Sequence, residues 1–288
     1  MPASPHDLSH ISVLAAFAHP DDEGFGPGGT LAMLAARGAS LTLICSTNGD
    51  VGEISNPELA TPENLAQVRQ EELRAAMVVT GVPDVRFLGY RDSGMDGTPD
   101  NAHPSSLYQA PAEQVVSRMV DIIREVRPNV VMTHDPTGGY GHPDHVTVYQ
   151  RMTEAFRLAG VPQQLPPGPG ANGQPWSPGS LYYVCFPRSN FRRMWQQMVD
   201  KGVTPPFASL DLDKIGSPDD AVTTTVDVSG FVDTKIASLA CHRTQINPDG
   251  PFSKLPEDMM RELMSTEYFT LVVSQGDSAG ADLLAGLS

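Results

Sequence analysis

Two apolar runs more than a hundred residues apart, Ile11-Ser-Val-Leu-Ala-Ala-Phe17 and Val130-Val-Met132, each lead straight into a knot of imidazoles and carboxylates. The first knot is Ala18-His-Pro-Asp-Asp-Glu23, with one histidine and three acids within five residues. The second is Thr133-His-Asp-Pro-Thr-Gly-Gly-Tyr-Gly-His-Pro-Asp-His145. Short apolar runs of this kind read as buried strands. Strand interiors have no use for the polar groups that follow; metal sites do. Two such runs in one open α/β sheet place their C-terminal ends on a common edge, where ligands bind in these folds. The pattern reads as a mononuclear metal hydrolase.

The rest of the chain carries the rhythm that such a sheet needs. Strand-like segments at 11–17, 40–46, 84–88 and 129–134 alternate with helix-like segments at 28–37, 63–80, 112–126 and 143–158, as in βαβ units. Leu41-Thr-Leu-Ile-Cys45 has the near-continuous apolar character of a strand buried on both faces of a parallel sheet. Right-handed crossovers then give a Rossmann-like three-layer sandwich with a mostly parallel sheet. Gly38 and Gly81 stand just past two of the helices, where left-handed backbone is common. Residues 161–180, dense in proline and glycine, read as an irregular surface loop. Strands near 180–186, 222–228 and 267–274 and helices near 189–200 and 231–242 are expected to extend the sheet and wall the pocket. The 288 residues suffice for one large core, read as a single domain with flexible tails at 1–10 and from Gly276 onward.

Charge and cysteine usage narrow the partners. A formal net charge of −15 argues against nucleic acid, an anionic membrane or a polyphosphate as the main partner. Cys45, Cys185 and Cys241 are odd in number and far apart, as expected of a reduced, cytoplasmic protein. The N-terminus lacks a basic then apolar signal pattern, and no stretch approaches the ~18–20 apolar residues of a membrane span. No heptad repeat is present, so oligomeric state has no signature in the chain.

Taken atom by atom, His19 offers an imidazole nitrogen, Asp22 an oxygen three residues on, and His145 a third donor from a distant segment. Two nitrogens and one carboxylate make a common open site for Zn²⁺ or Fe²⁺, and the same donors accept Co²⁺ or Mn²⁺. Asp21, adjacent to a ligand and itself uncoordinated, suits a general base. With Pro143 as the first helical residue, His142 sits at the mouth of a helix and faces the substrate. Glu23 and His134 are spare acid-base groups of lower rank. His134, Asp135 and Asp144 are read as supporting or helix-capping groups. The stretch Gly24-Phe-Gly-Pro-Gly-Gly29 lacks both the Gly-x-Gly-x-x-Gly spacing and a Gly-Lys-Ser/Thr ending, so its glycines are read as easing the backbone past the metal and into the next helix.

The pair of motifs, Ala18-His-Pro-Asp-Asp-Glu23 with Gly141-His-Pro-Asp-His145, resembles the signature of the LmbE-like, or PIG-L, N-acetylglucosaminyl deacetylases, and the similarity spans most of the chain. That family includes deacetylases of mycothiol and bacillithiol biosynthesis and the mycothiol conjugate amidase. The resemblance implies zinc ligands His19, Asp22 and His145, the general base Asp21, and a protonated His142 that stabilises the oxyanion. It also implies substrate contacts from Arg69 and Asp92, carbonyl polarisation by Tyr140, and a pocket-proximal motif Lys235-x6-His242-Arg-Thr-Gln245. Blander readings stand beside these: a surface ion pair of Arg69 with Glu72, a turn carboxylate at Asp92, a loop aromatic at Tyr140, and a packed His242 satisfied by backbone. The implied substrate is a small amino-sugar conjugate such as N-acetylglucosaminyl-malate or N-acetylglucosaminyl-inositol. Hydrolysis of a mycothiol S-conjugate amide, a non-catalytic metal- or sugar-binding role and a metal-dependent phosphoesterase are the competing readings.

Overall fold

Period-two burial organises the sheet. In β1 (Ser12–Phe17), Val13, Ala15 and Phe17 enter one apolar cluster while Leu14 and Ala16 enter another, so both faces of the strand are covered. A computed structural model describes residues 7–162, 173–205, 213, 215–247, 250 and 253–274. The remaining strands are β2 (Ser40–Thr47), β3 (Asp84–Tyr90), β4 (Val130–His134), β5 (Ser180–Cys185), β6 (Thr224–Asp227) and β7 (Thr266–Ser274). They form one seven-stranded sheet in the order β3-β2-β1-β4-β5-β7-β6.

The helices are α1 (Asp22–Phe25), α2 (Gly28–Ala36), α3 (Leu65–Thr80), α4 (Ala112–Val126), the single turn α5 (Gly138–Gly141), α6 (Pro143–Leu158), α7 (Arg188–Asp200), α8 (Val232–Leu239) and α9 (Glu257–Met264). One face of the sheet packs on Leu31 and Leu34 of α2 and Leu73 and Met77 of α3, and α8 packs outside both helices. The other face packs on Val116, Met119 and Ile123 of α4 and Val148, Met152 and Phe156 of α6. The result is the three-layer, mostly parallel sandwich that the alternation predicts. Gly81 closes α3 at φ 85°, and its N–H donates to the Met77 carbonyl. Gly38 takes φ 89° after α2, in the conformation expected of it.

Strands β1 to β5 pair in parallel, whereas β7 runs antiparallel to both β5 and β6. The C-terminal segments thus extend the sheet, with β7 inserted between two strands that precede it in sequence. Three helical pieces, α1, the single turn α5 and α9, were not anticipated. Helix α1 begins at Asp22, inside the first polar knot, and α9 follows Pro256 with Glu257 and Asp258 in its first turn. The glycines before α2 serve packing: a Cβ on Gly24 or Gly29 would stand 2.7 Å from Leu239 or 2.6 Å from Val228. Half of the expected proline-rich loop 161–180 (residues 163–172), residues 1–6 of the expected 1–10 tail and the whole expected tail from Gly276 onward lie outside the described residues. Among the described residues, no helix is long and apolar enough to cross a membrane.

Candidate metal centre

The strand order reverses at β1: β2 and β3 lie to one side of it and β4 and β5 to the other. The crevice at such a switch point is where an open α/β sheet presents its ligand site. Both polar knots fall there. The end of β1 is fixed by Thr47, whose N–H and Oγ1 donate to the Ala18 carbonyl at 2.8 and 2.9 Å. The chain then turns through Pro20 and Asp21 into α1. Beyond β4, Asp135 accepts from the Thr137 N–H at 3.1 Å and shapes the α5 turn. His142 follows as the N-cap of α6, its Nδ1 accepting from the Asp144 N–H at 3.1 Å, with Pro143 in the first helical position as its fixed φ favours.

Three side chains converge. His19 Nδ1 lies 3.1 Å from His145 Nε2. Asp22 Oδ1 lies 3.2 Å from His145 Nε2, and Asp22 Oδ2 lies 3.5 Å from His19 Nδ1. Ligands about 2.0–2.1 Å from one tetrahedral ion stand about 3.3 Å from each other, so this donor set fits a single divalent cation. Tautomers agree with that fit. His145 Nδ1 sits 3.0 Å from the Gly138 carbonyl and donates to it, which leaves Nε2 with its lone pair inward. His19 Nε2 faces Asp144 Oδ2 at 3.3 Å, leaving Nδ1 as the inward donor. Asp144 is held in turn by the Ser93 N–H at 2.8 Å. Overlapping donor groups add His142, Asp92, Asp144 and His134 around the same point. His134 Nε2, however, accepts the Ala18 N–H at 3.1 Å, so its lone pair is already engaged.

The electrostatics separate two neighbouring carboxylates. In the metal-free protein burial works to raise Asp22, but the charge and hydrogen bonds of the His145 and His19 rings beside it hold it well below the usual carboxylate range. Burial raises Asp21 to about 6, against the pull of Arg69 and with the push of Asp22. Burial pushes His142 down to about 2, helped by the charges of His19 and His145. Its Nδ1 accepts the Asp144 N–H, so Nε2 is the ring position that carries a proton.

A cavity of about 560 Å³ opens on this edge, lined by Asp21, Asp22, His134, Tyr140 and His145 at the polar end. Val184 and Cys185 of β5, Phe191 and Met194 of α7, Leu263 of α9 and Tyr268 of β7 continue it, so the C-terminal third does wall the pocket. His19, His142, Arg69 and Asp92 do not line this cavity. Arg69 is buried, and its guanidinium donates to the Gly49 carbonyl at 2.8 Å, the Pro20 carbonyl at 2.7 Å and Asp21 Oδ2 at 3.2 Å. The surface ion pair with Glu72 does not form. Glu72 instead accepts from Thr244 N and Oγ1 at 2.8 and 2.6 Å. Asp92 accepts the Gly94 N–H and lies 3.6 Å from His19 Nε2 and 4.0 Å from His142 Nε2. His242 is fully buried; its Nε2 meets a carboxylate, Glu23 Oε1 at 2.8 Å, rather than backbone, and its Nδ1 has no hydrogen-bond partner among the described residues. Sequence reasoning passed over Ser93, although it neighbours Asp92, and ranked Glu23 only as a spare acid-base group.

A mostly parallel α/β sandwich with an Asp/His cluster at its switch point defines a class of metal-site proteins, and the comparisons place the chain within that class. It belongs to the PIG-L (GlcNAc-PI de-N-acetylase) family, whose profile matches residues 14–156. A 1D-myo-inositol 2-acetamido-2-deoxy-α-D-glucopyranoside deacetylase of Geodermatophilus obscurus is 40% identical over 290 residues, covering 96% of this chain and 97% of that protein. A protein of the same description from Thermobifida fusca is 40% identical over 281 residues, covering 94% and 96%. Among solved structures, the N,N′-diacetylchitobiose deacetylase of Pyrococcus horikoshii superposes with a TM-score of 0.64 at 20% identity, covering 91% of this chain and 83% of that one. The 4-carboxy-2-hydroxymuconate hydratase of Pseudomonas putida shares the fold at a TM-score of 0.59, 18% identity and coverage of 93% and 98%. That hydratase shows that the fold alone does not dictate the reaction.

Proposed function

We propose that the chain is a zinc-dependent N-deacetylase that removes the acetyl group from an N-acetylglucosamine conjugate of the glucosaminyl-inositol type. The observation that carries this reading is the convergence of His19 Nδ1, Asp22 and His145 Nε2 beside a half-buried, cavity-lining Asp21. The activity for which the relatives are named supplies the substrate class. His19, Asp22 and His145 hold the cation. A divalent cation there acts as a Lewis acid that acidifies water and polarises an amide carbonyl.

Asp21 takes the proton of the attacking water on Oδ1, because Oδ2 is held by Arg69 Nη2. It then returns that proton to the departing nitrogen, giving acetate and a free amine. His142 donates its Nε2–H to the developing oxyanion as a neutral imidazole, and the Tyr140 hydroxyl adds a second donor. One such donor is worth about 3–4 kcal/mol of transition-state stabilisation. Arg69 and Asp92, set back from the cavity, are assigned to holding Asp21 and His19. The three free cysteines fit the cytoplasm.

The apolar wall formed by Phe25, Phe186, Phe191 and Met194 favours a second reading, hydrolysis of a related amide that bears a bulky apolar group, as in an S-conjugate. Amine release by the Zn²⁺- and Fe²⁺-loaded protein decides between them. The panel holds N-acetylglucosamine, its malate and inositol conjugates, chitobiose and one mycothiol S-conjugate. Turnover of the inositol conjugate, lost in Asp21→Ala, is the expected result. Preference for the S-conjugate selects the second reading, and no turnover with metal bound removes both.

A further inference from the structure

The motif Lys235–Gln245 reaches the cavity only through Lys235. Its remaining polar groups point instead at the segments that hold Asp21. His242 and Glu23 are 0% and 1% exposed, and they meet at 2.8 Å through Nε2 and Oε1. The other oxygen of the same carboxylate, Glu23 Oε2, accepts the backbone N–H of Asp21 at 3.0 Å. Thr244 grips Glu72, which lies one helical turn beyond Arg69 on α3. Lys235 Nζ donates to the Gly26 carbonyl at the far end of α1, at 2.8 Å.

Asp21 needs such a grip. Its φ of 127° and ψ of −24° put a non-glycine residue where the backbone is strained. Strain of this kind costs of order 1–3 kcal/mol and persists only where the surroundings impose it. Two groups impose it here: Arg69 holds the carboxylate and Glu23 holds the backbone N–H. A glutamate whose own position were loose would not hold a strained residue. His242 fixes Glu23, and it arrives from a turn 219 residues away in sequence.

We infer that His242, acting through Glu23, is a positioning residue that keeps Asp21 aimed at the reacting water; this rests on the reading of Asp21 as general base. The test compares His242→Ala with His242→Gln in the metal-loaded full chain. Gln is chosen because its Nε2 can take the place of the imidazole Nε2 and donate to Glu23. Measured are kcat, KM, metal content, Tm and the hydrogen-exchange rate of the Asp21 amide by NMR.

Misplacing a reacting group costs about 10²-fold, so His242→Ala is expected to lose at least about thirtyfold in kcat, with KM within about threefold and metal retained. His242→Gln is expected to return kcat to within about fivefold of wild type, and the Asp21 amide to exchange at least about tenfold faster in His242→Ala. A folded His242→Ala with unchanged kcat overturns the inference. So does His242→Gln as slow as His242→Ala at native Tm and metal content, which would make His242 a packing residue. If His242→Ala does not fold, His242→Gln decides alone: near-native kcat supports the inference, and a thirtyfold loss with native Tm and metal refutes it. If the wild type hydrolyses none of the amides, the deacetylase reading fails. The Asp21 amide then carries the test by itself: faster exchange supports the positioning role, and unchanged exchange overturns it.

Discussion

Replacing Asp21 by Asn separates what this residue does for the reaction from what it costs the fold. Burial raises its pKa from the ordinary 3.8 to about 6. A carboxyl whose folded value lies above its unfolded value destabilises the protein once both states are ionised. That penalty is fully present above about pH 6 and vanishes as the pH falls toward 3.8. The gap corresponds to about 3 kcal/mol. Asn keeps an oxygen for Arg69 Nη2 and carries no charge. The metal-free Asp21→Asn protein should therefore be more stable than wild type by up to about 3 kcal/mol at pH 7.5, or roughly 6–12 °C in Tm. Its advantage should shrink progressively as unfolding is repeated at pH 6, 5 and 4.5. The loaded variant should lose about 10²–10⁴-fold in kcat, the range attributed to a positioned general base. Equal stability at both ends of the pH range, or a less stable Asn protein at pH 7.5, would refute the electrostatic argument.

Other expectations follow from the same geometry. For the loaded enzyme, kcat/KM should fall tenfold per pH unit below about 6, because Asp21 must be ionised to accept a proton; the bound cation moves this limb to lower pH, and a limb above 7 contradicts it. His145→Ala should drop metal content from about one ion per chain to under about a tenth after dialysis, read by elemental analysis, since it removes one of three donors. Tyr140→Phe should lower kcat by about 10²-fold with KM nearly unchanged, and a purely KM effect would move Tyr140 to substrate binding. Lys235→Ala should cost about 3–5 kcal/mol in denaturant unfolding, because it removes the paired cation from the buried carboxylate of Glu267, whose Oε1 sits 2.6 Å from Lys235 Nζ, and leaves that charge to the Gly29 and Thr30 N–H groups.

What could be read in the sequence was local. Apolar runs at 11–17, 40–46 and 129–134 became β1, β2 and β4, because strands covered on both faces have no polar positions to confuse the pattern. Pro143 and Gly81 marked their helix ends through fixed backbone preferences. Helix α9 was missed, although Pro256 followed by two acids is a start signal. The rest depended on partners far away in the chain. Nothing near Thr266–Ser274 says that β7 runs against β5 and is flanked by β6. Arg69 and Glu72 look like an i,i+3 pair on any helical wheel, yet their partners are Asp21 and Thr244, 48 and 172 residues away. His242 looks idle until α8 docks over α1 and brings Glu23 to it.

The adjacent pair Asp21-Asp22 shows why both residues are needed and why neither substitutes for the other. Consecutive carboxylates that both face water share an environment and titrate alike. Here the turn between β1 and α1 breaks that equivalence. The positive φ of Asp21 turns its side chain toward Arg69 and the cavity, while Asp22, the first helical residue, points back at His19, His134 and His145. The imidazoles around it favour the charged form of Asp22 and hold it well below the usual carboxylate range, as the proposed metal ligand must be. One guanidinium does not offset burial and the neighbouring charge at Asp21, so it titrates near neutrality and can take up and release a proton. Environments that push paired carboxylates apart assign acid-base roles. In this chain the assignment is made by a single strained dihedral, which is why the groups that hold Asp21 in place matter as much as the groups that touch the metal.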